Sequence, residues 1–137
     1  MADAQVMRFL KAAAQRLVAA DVLLQHSKHL DGTYLAGYVV ECSLKALVLS
    51  YVRVSDRPEF IRQHFRGQVA HDFQYLVFLL LQRGVNIPKP VRRALIRAKE
   101  IWSTDLRYLA GQGKVADARF LRDAGEMILS WVQRSVT

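Results

Sequence analysis

Cysteine occurs once in the 137 residues, at Cys42, which excludes an internal disulfide framework and any cysteine-cluster zinc site. A reducing, cytoplasmic setting is the resulting expectation. Proline and glycine are scarce and no segment is low in complexity, which argues against a disordered chain and for one compact domain over residues 1–137. Long apolar runs are missing as well: the longest, YLVFLLL at 75–81, is far below the roughly 20 residues that cross a bilayer. Asp3, Arg8, Lys11, Arg16 and Asp21 interrupt the first 25 residues, unlike a secretory signal. No membrane span is expected. Serine-hydrolase and phosphate-loop chemistry lack even their starting motifs, since there is neither G-x-S-x-G nor a glycine-rich run ending in Gly-Lys-Ser/Thr.

Acidic residues are the minority charge. The formal balance is +8, and 14 of the 20 basic residues are arginine, whose planar fork suits bidentate phosphate or carboxylate contacts. Such a surplus either marks an anion-binding surface or only keeps a small protein soluble.

What is present is helical periodicity. Val6, Leu10, Ala13, Leu17, Ala20 and Leu24 recur every three or four residues and share one face of a long first helix. HSKHLDGT should end it, with Gly32 turning the chain and Thr33 capping the next helix. That second helix, about residues 34–52, is apolar on nearly every side, as a central helix is. The charged segment with Pro58 and Gly67 reads as a loop with at most one short helical turn. A third helix is expected over about 71–83, opened by Asp72 in its first turn. A fourth follows over about 89–102 after VNIPKP, with Val91, Leu95, Ala98 and Trp102 inward, and a last over about 115–133, burying Leu121, Ala124, Ile128 and Trp131. No segment alternates as a half-buried strand does. The expected fold is all-α: an antiparallel bundle of four long helices plus a short fifth.

Several residues could carry chemistry. His26 and His29 lie one helical turn apart near Asp21 and Asp31, but a metal site needs three or four converging ligands, so solvated surface histidines are the expectation, with no metal and no cofactor. Cys42 sits amid apolar neighbours, where a thiol is ordinarily inert packing. More informative is a stripe on the second helix, Tyr34, Tyr38, Glu41 and Lys45, spaced 4, 3 and 4 apart. It is either a solvated seam between two apolar faces or the lining of a polar cleft. WSTDLRY at 102–108 could dock on it, with Ser103 and Thr104 as caps, Asp105 as an acceptor, and Arg107 and Tyr108 placed to bind phosphate and stack on a base. Alternatively Arg107 pairs with Asp105 or Glu41 to fix the loop. Lys89, Arg93 and Arg97 form an outward basic row that could face phosphates.

AGYVVECSLKAL at 36–47, HDFQYL at 71–76, DLRY at 105–108 and DARFLRDAGEMILSWV at 117–132 resemble, in that order, the second helix, the "H-D-L-x-x-L" helix start, the Arg-Tyr turn and the closing helix of bacterial members of the HEPN superfamily. The resemblance covers nearly the whole chain. It implies an all-helical domain that commonly dimerises, acts on or around RNA, and is often encoded beside a minimal nucleotidyltransferase in a toxin–antitoxin or related two-protein system. Many members are metal-independent endoribonucleases whose arginine and histidine, separated by four to six residues, meet across the dimer.

The family's arginine maps to Arg107, but the positions at the required spacing hold Gln112, Gly113 and Lys114. Without an imidazole no group there titrates near neutrality to move the 2′-hydroxyl proton. Arg66 and His71 have the right spacing in the wrong place, and with 14 arginines and 4 histidines such a pairing is expected by chance; Arg57 and His64 supply another. The expectation is therefore a binding component for RNA, a nucleotide or a nucleotidyltransferase partner, in a homodimer, rather than an obvious catalyst. An Arg66/His71 ribonuclease is the alternative, and Arg66 otherwise reads as a loop cation and His71 as a helix start.

Overall fold

A computed structural model of the chain describes residues 4–136. Among them no β-strand occurs, and the α-helices are α1 Ala4–Gln25, α2 His29–Ser50, α3 Arg57–His64, α4 Phe73–Gln82, α5 Lys89–Ile101 and α6 Val115–Val136. Short 3-10 turns at Val54–Asp56, Gln68–His71 and Thr104–Tyr108 join them. The all-helical expectation holds, with six helices in place of five. The additional one is α3, in the segment read as a loop. Pro58 stands in its first turn, where a missing N–H removes no helical bond. Phe60 and Arg57 are buried, and Arg57 Nε donates to the Val52 carbonyl at 2.9 Å.

The junction of α1 and α2 differs from the expected one. Ser27, at φ 59°, makes the turn in place of Gly32: Lys28 N donates to Leu23 O at 2.8 Å and Ser27 N to Leu24 O at 3.1 Å, the paired bonds that close a helix through a left-handed residue. α2 therefore begins at His29, and Gly32 and Thr33 lie inside it. A Cβ on Gly32 would come 2.8 Å from Leu24 Cδ1, so glycine serves close approach of the two helices. Thr33 Oγ1 donates back to His29 O at 2.7 Å and caps nothing.

α2 is the central element. α1 and α6 lie along it, and α4 and the 104–108 turn also contact it. By length and composition α2 could cross a membrane, which the shorter apolar runs did not suggest, but most of it is buried inside the bundle. Val6, Leu10, Ala13 and Ala20 of α1, Val91, Leu95 and Ala98 of α5, and Leu121, Ala124 and Ile128 of α6 are buried as their spacing predicts. Trp131 is only partly buried, packed against the core edge. Asp72 caps α4 by accepting from Gln74 N at 2.9 Å. His71 is thereby left two residues before that helix, at the end of a 3-10 turn.

Trp102, just past α5, anchors the second half of the chain to α2. Its indole Nε1 donates to the Tyr34 carbonyl at 2.9 Å, and its ring stacks on Phe73 with centroids 5.1 Å apart and planes 6° from parallel. This seat exists because α2 has no side chain at Gly37: a Cβ there would come 2.0 Å from Trp102 Nε1 and 2.1 Å from Cδ1 and Cε2. Gly37→Ala should therefore destabilise the fold by about 2 kcal/mol, because overpacking of up to about 3 kcal/mol exceeds the roughly 1 kcal/mol gained in helix propensity. Urea unfolding followed by circular dichroism measures this, and a higher midpoint in the variant would refute it.

Candidate functional site

The four-residue stripe on α2 is not a solvated seam. Glu41 and Lys45 are only 4% and 6% exposed, and Lys45 Nζ donates to Glu41 Oε2 at 2.9 Å. The ammonium also lies 5.2 Å from the centre of the Phe65 ring, so carboxylate and aromatic face replace its water. One turn towards the N-terminus, Tyr34 and Tyr38 share a hydrogen bond between hydroxyls at 3.0 Å, and the Tyr38 ring stands edge-on to Trp102 at 5.2 Å. Burial, then the Tyr34 hydroxyl and the Glu41 charge, push the Tyr38 phenol well above its ordinary pKa. It stays a protonated donor at neutral pH.

His71 joins this cluster from thirty residues away. Its Nδ1 lies 2.8 Å from Glu41 Oε1. A carboxylate already engaged by Lys45 only accepts, so the proton on this bond belongs to His71 Nδ1. When the imidazole is neutral, that assignment leaves Nε2 with its lone pair, and the ring borders a cavity of about 200 Å³ lined also by Lys99, Ser103, Asp72 and Trp102. Glu41 thus fixes the tautomer and orientation of a half-exposed histidine, as second-layer carboxylates do for working imidazoles. The expected helix-start role passes to Asp72. Sequence periodicity carries no signal for the contact, because residue 71 reaches Glu41 only through the 65–72 turns.

The 104–108 turn approaches the stripe as expected, with different partners. Ser103 Oγ accepts from Asp105 N at 3.2 Å, while Thr104 is buried in the turn rather than capping it. Asp105 is exposed. Arg107 pairs with neither Asp105 nor Glu41: its guanidinium carbon lies 4.8 Å from the centre of the Tyr108 ring, and contacts with the Tyr108 and then the Tyr34 hydroxyls raise its pKa. Tyr108 is 74% exposed. An arginine stacked on an open aromatic ring, with its charge unneutralised by any carboxylate among the described residues, can take a phosphate on its outer edge.

Other candidates fall elsewhere. Lys89, Arg93 and Arg97 are exposed on α5 as expected, although Arg97 is tied over the Phe120 ring at 4.7 Å. Arg66 is exposed and does not line the cavity beside His71. His26 is exposed and His29 half-buried, and among the described residues no three His, Cys, Asp or Glu side chains group as metal ligands would. Cys42 is partly accessible, and burial pushes its thiol up to about 11. A charge cluster unforeseen in the sequence ties α1 to α6: Arg122 donates to Asp21 at 2.7 Å and contacts Asp123 and Glu126. No protein-family model, curated protein or solved structure matches the chain.

Two outcomes follow from the buried charges and the thiol. Glu41→Leu leaves the Lys45 ammonium buried without its carboxylate and should cost about 3–5 kcal/mol, whereas adding Lys45→Met should restore most of that loss. Chemical denaturation of both variants measures the difference, and equal stabilities would show that the pair is not what holds the site. Alkylation of Cys42 by iodoacetamide should be slower at pH 8 than that of a free cysteine and keep accelerating up to about pH 11. A plateau near pH 9 in the rate profile would contradict the raised value.

Proposed function

We propose that this chain is a HEPN-type helical binding protein, one component of a nucleotidyltransferase-linked toxin–antitoxin or related RNA-associated system, acting as a homodimer. Its anionic ligand, RNA or a nucleotide, sits at the corner made by Arg107, Tyr108 and Tyr34. The observation that carries this reading is the exposed Arg107 guanidinium over the open Tyr108 ring, paired with no carboxylate among the described residues. The ring orients the cation and leaves its charge available. The formal surplus of +8 adds long-range attraction for a polyanion. The sequence resemblance supplies the RNA context and the two-protein arrangement, and the paired helical packing of α1, α2 and α6 is compatible with such a bundle.

A second reading is favoured by one feature. His71, fixed by Glu41 and bordering a cavity with Lys99 and Ser103, is placed as a general base or acid would be. A metal-independent endoribonuclease using His71 is therefore the alternative, with Arg66 its weaker half because it stands outside that cavity.

Fluorescence anisotropy with labelled single-stranded RNA separates the readings. Affinity should fall steeply with salt, and Arg107→Ala should weaken binding and lower the salt slope by about 0.7, the value for one single-strand phosphate contact. A flat salt response, or an unchanged slope in the variant, would count against the binding site. With chelator present the RNA should remain intact; cleavage abolished by His71→Ala would replace the binding reading with the catalytic one.

A further inference from the structure

α4 carries no charged residue along its length, and Phe78 and Leu81 on its outer side are 52% and 46% exposed. α5 faces it at a distance: the two helices touch little, and Ile96 is 67% exposed. Between them runs an open groove of about 630 Å³ with Phe73, Val77, Ile87 and Leu95 in its walls. Its edge carries Arg92, Lys99 and Glu100, with Lys99 also 3.5 Å from Asp72, and Lys89, Arg93 and Arg97 continue the positive side of α5, on which Glu100 is the one acidic residue.

We propose that this groove is the docking site for an acidic amphipathic segment of a partner protein. Its apolar side chains would pack on Phe73, Val77 and Leu95, and its carboxylates would face Arg92 and Lys99. A contiguous exposed apolar surface on a small domain marks an interaction site, and an apolar groove between two helices is the form that accepts an amphipathic helix through anchors at i, i+3, i+4 and i+7. The charge distribution selects the occupant. A second copy seated here would bring the same basic α5 against this one, because a two-fold contact sets equivalent surfaces against each other. A nucleic acid would satisfy the basic edge and leave the apolar wall of Phe73, Val77, Leu95 and Ile96 uncovered. An acidic amphipathic segment satisfies both, with electrostatic steering accelerating its approach. The groove does not involve Arg107, so this inference stands or falls separately from the phosphate corner.

The test uses the full chain and two synthetic fluorescein-labelled helices, one with leucines at the anchor spacing and glutamates elsewhere, the other with lysine in place of every glutamate. Anisotropy should show the acidic helix binding and the lysine twin not. Ile96→Asp, and separately Arg92→Glu, should each weaken binding about tenfold or more, with circular dichroism unchanged because both positions are exposed. Equal binding of the twins, no binding of the acidic helix, or indifference to these variants would overturn the proposal. So would displacement of the helix by single-stranded RNA. Conversion of a dimer to a monomer by Ile96→Asp in sedimentation would assign the groove to a second copy and equally overturn it.

Discussion

The seat of Trp102 on the bare backbone of Gly37 is the contact from which the rest of the arrangement follows. A helix as apolar as α2 would pack against almost any neighbour, so its burial alone does not choose a register for the second half of the chain. The indole does, because one ring enters at one glycine and donates one hydrogen bond to Tyr34 O. Phe73 stacks beneath that ring, which places the start of α4, and the chain leaving Trp102 enters the 104–108 turn at once. Arg107 and Tyr108 are thereby delivered to the tyrosine end of the stripe. The hydrophobic term supplies the driving force here, and the shape of one contact supplies the specificity.

The second constraint is the buried ion pair next to it. Lys45 and Glu41 on an otherwise apolar helix are costly to desolvate, and a well-packed apolar pair would serve stability as well or better. What the pair does that leucines would not is hold His71. Glu41 offers two oxygens, one to Lys45 and one to the imidazole. With the lysine absent, the carboxylate would face Nδ1 with its charge uncompensated in a low-dielectric setting. The three residues are best understood as one unit, whose consequence is an oriented, half-exposed ring.

Much of the architecture was legible because amphipathic periodicity is a local property. The inward faces of α1, α5 and α6 and the direction of the Tyr34-to-Lys45 stripe could be read from spacing, whereas the docking of DLRY stood only as one possibility. The misreadings have physical causes. Gly32 looked like a turn, but glycine serves close helix approach as well as positive φ, and spacing does not distinguish the two. Ser27 took the left-handed position instead. α3 was hidden by its charges, since an exposed short helix with one buried aromatic barely departs from a loop pattern. His71 was hidden for the opposite reason: its partner is on another element, and pairings made by folding leave no mark on local composition. The same holds for Arg122 and the acids of α1 and α6 that surround it.

Those pairings also explain where the positive surplus resides. Among the described residues, Asp21, Asp123 and Glu126 converge on Arg122, Glu59 is held by Arg62, Glu41 by Lys45, and Asp72 lies 3.5 Å from Lys99. Six acidic side chains are thus committed to nearby cations. Cations outside these pairs are spread over the surface, at Arg8, Lys11, Lys28, Arg53, Arg66, Lys114 and Arg119 among others, but those on the solvent side of α5 and at the Arg107 corner adjoin exposed aromatic or aliphatic groups. A charge excess serving only solubility has no reason to sit beside exposed hydrophobic surface, because water satisfies each separately. Charge next to apolar area is instead the pattern of a surface that another molecule covers, one part answering its anionic groups and the other its apolar ones.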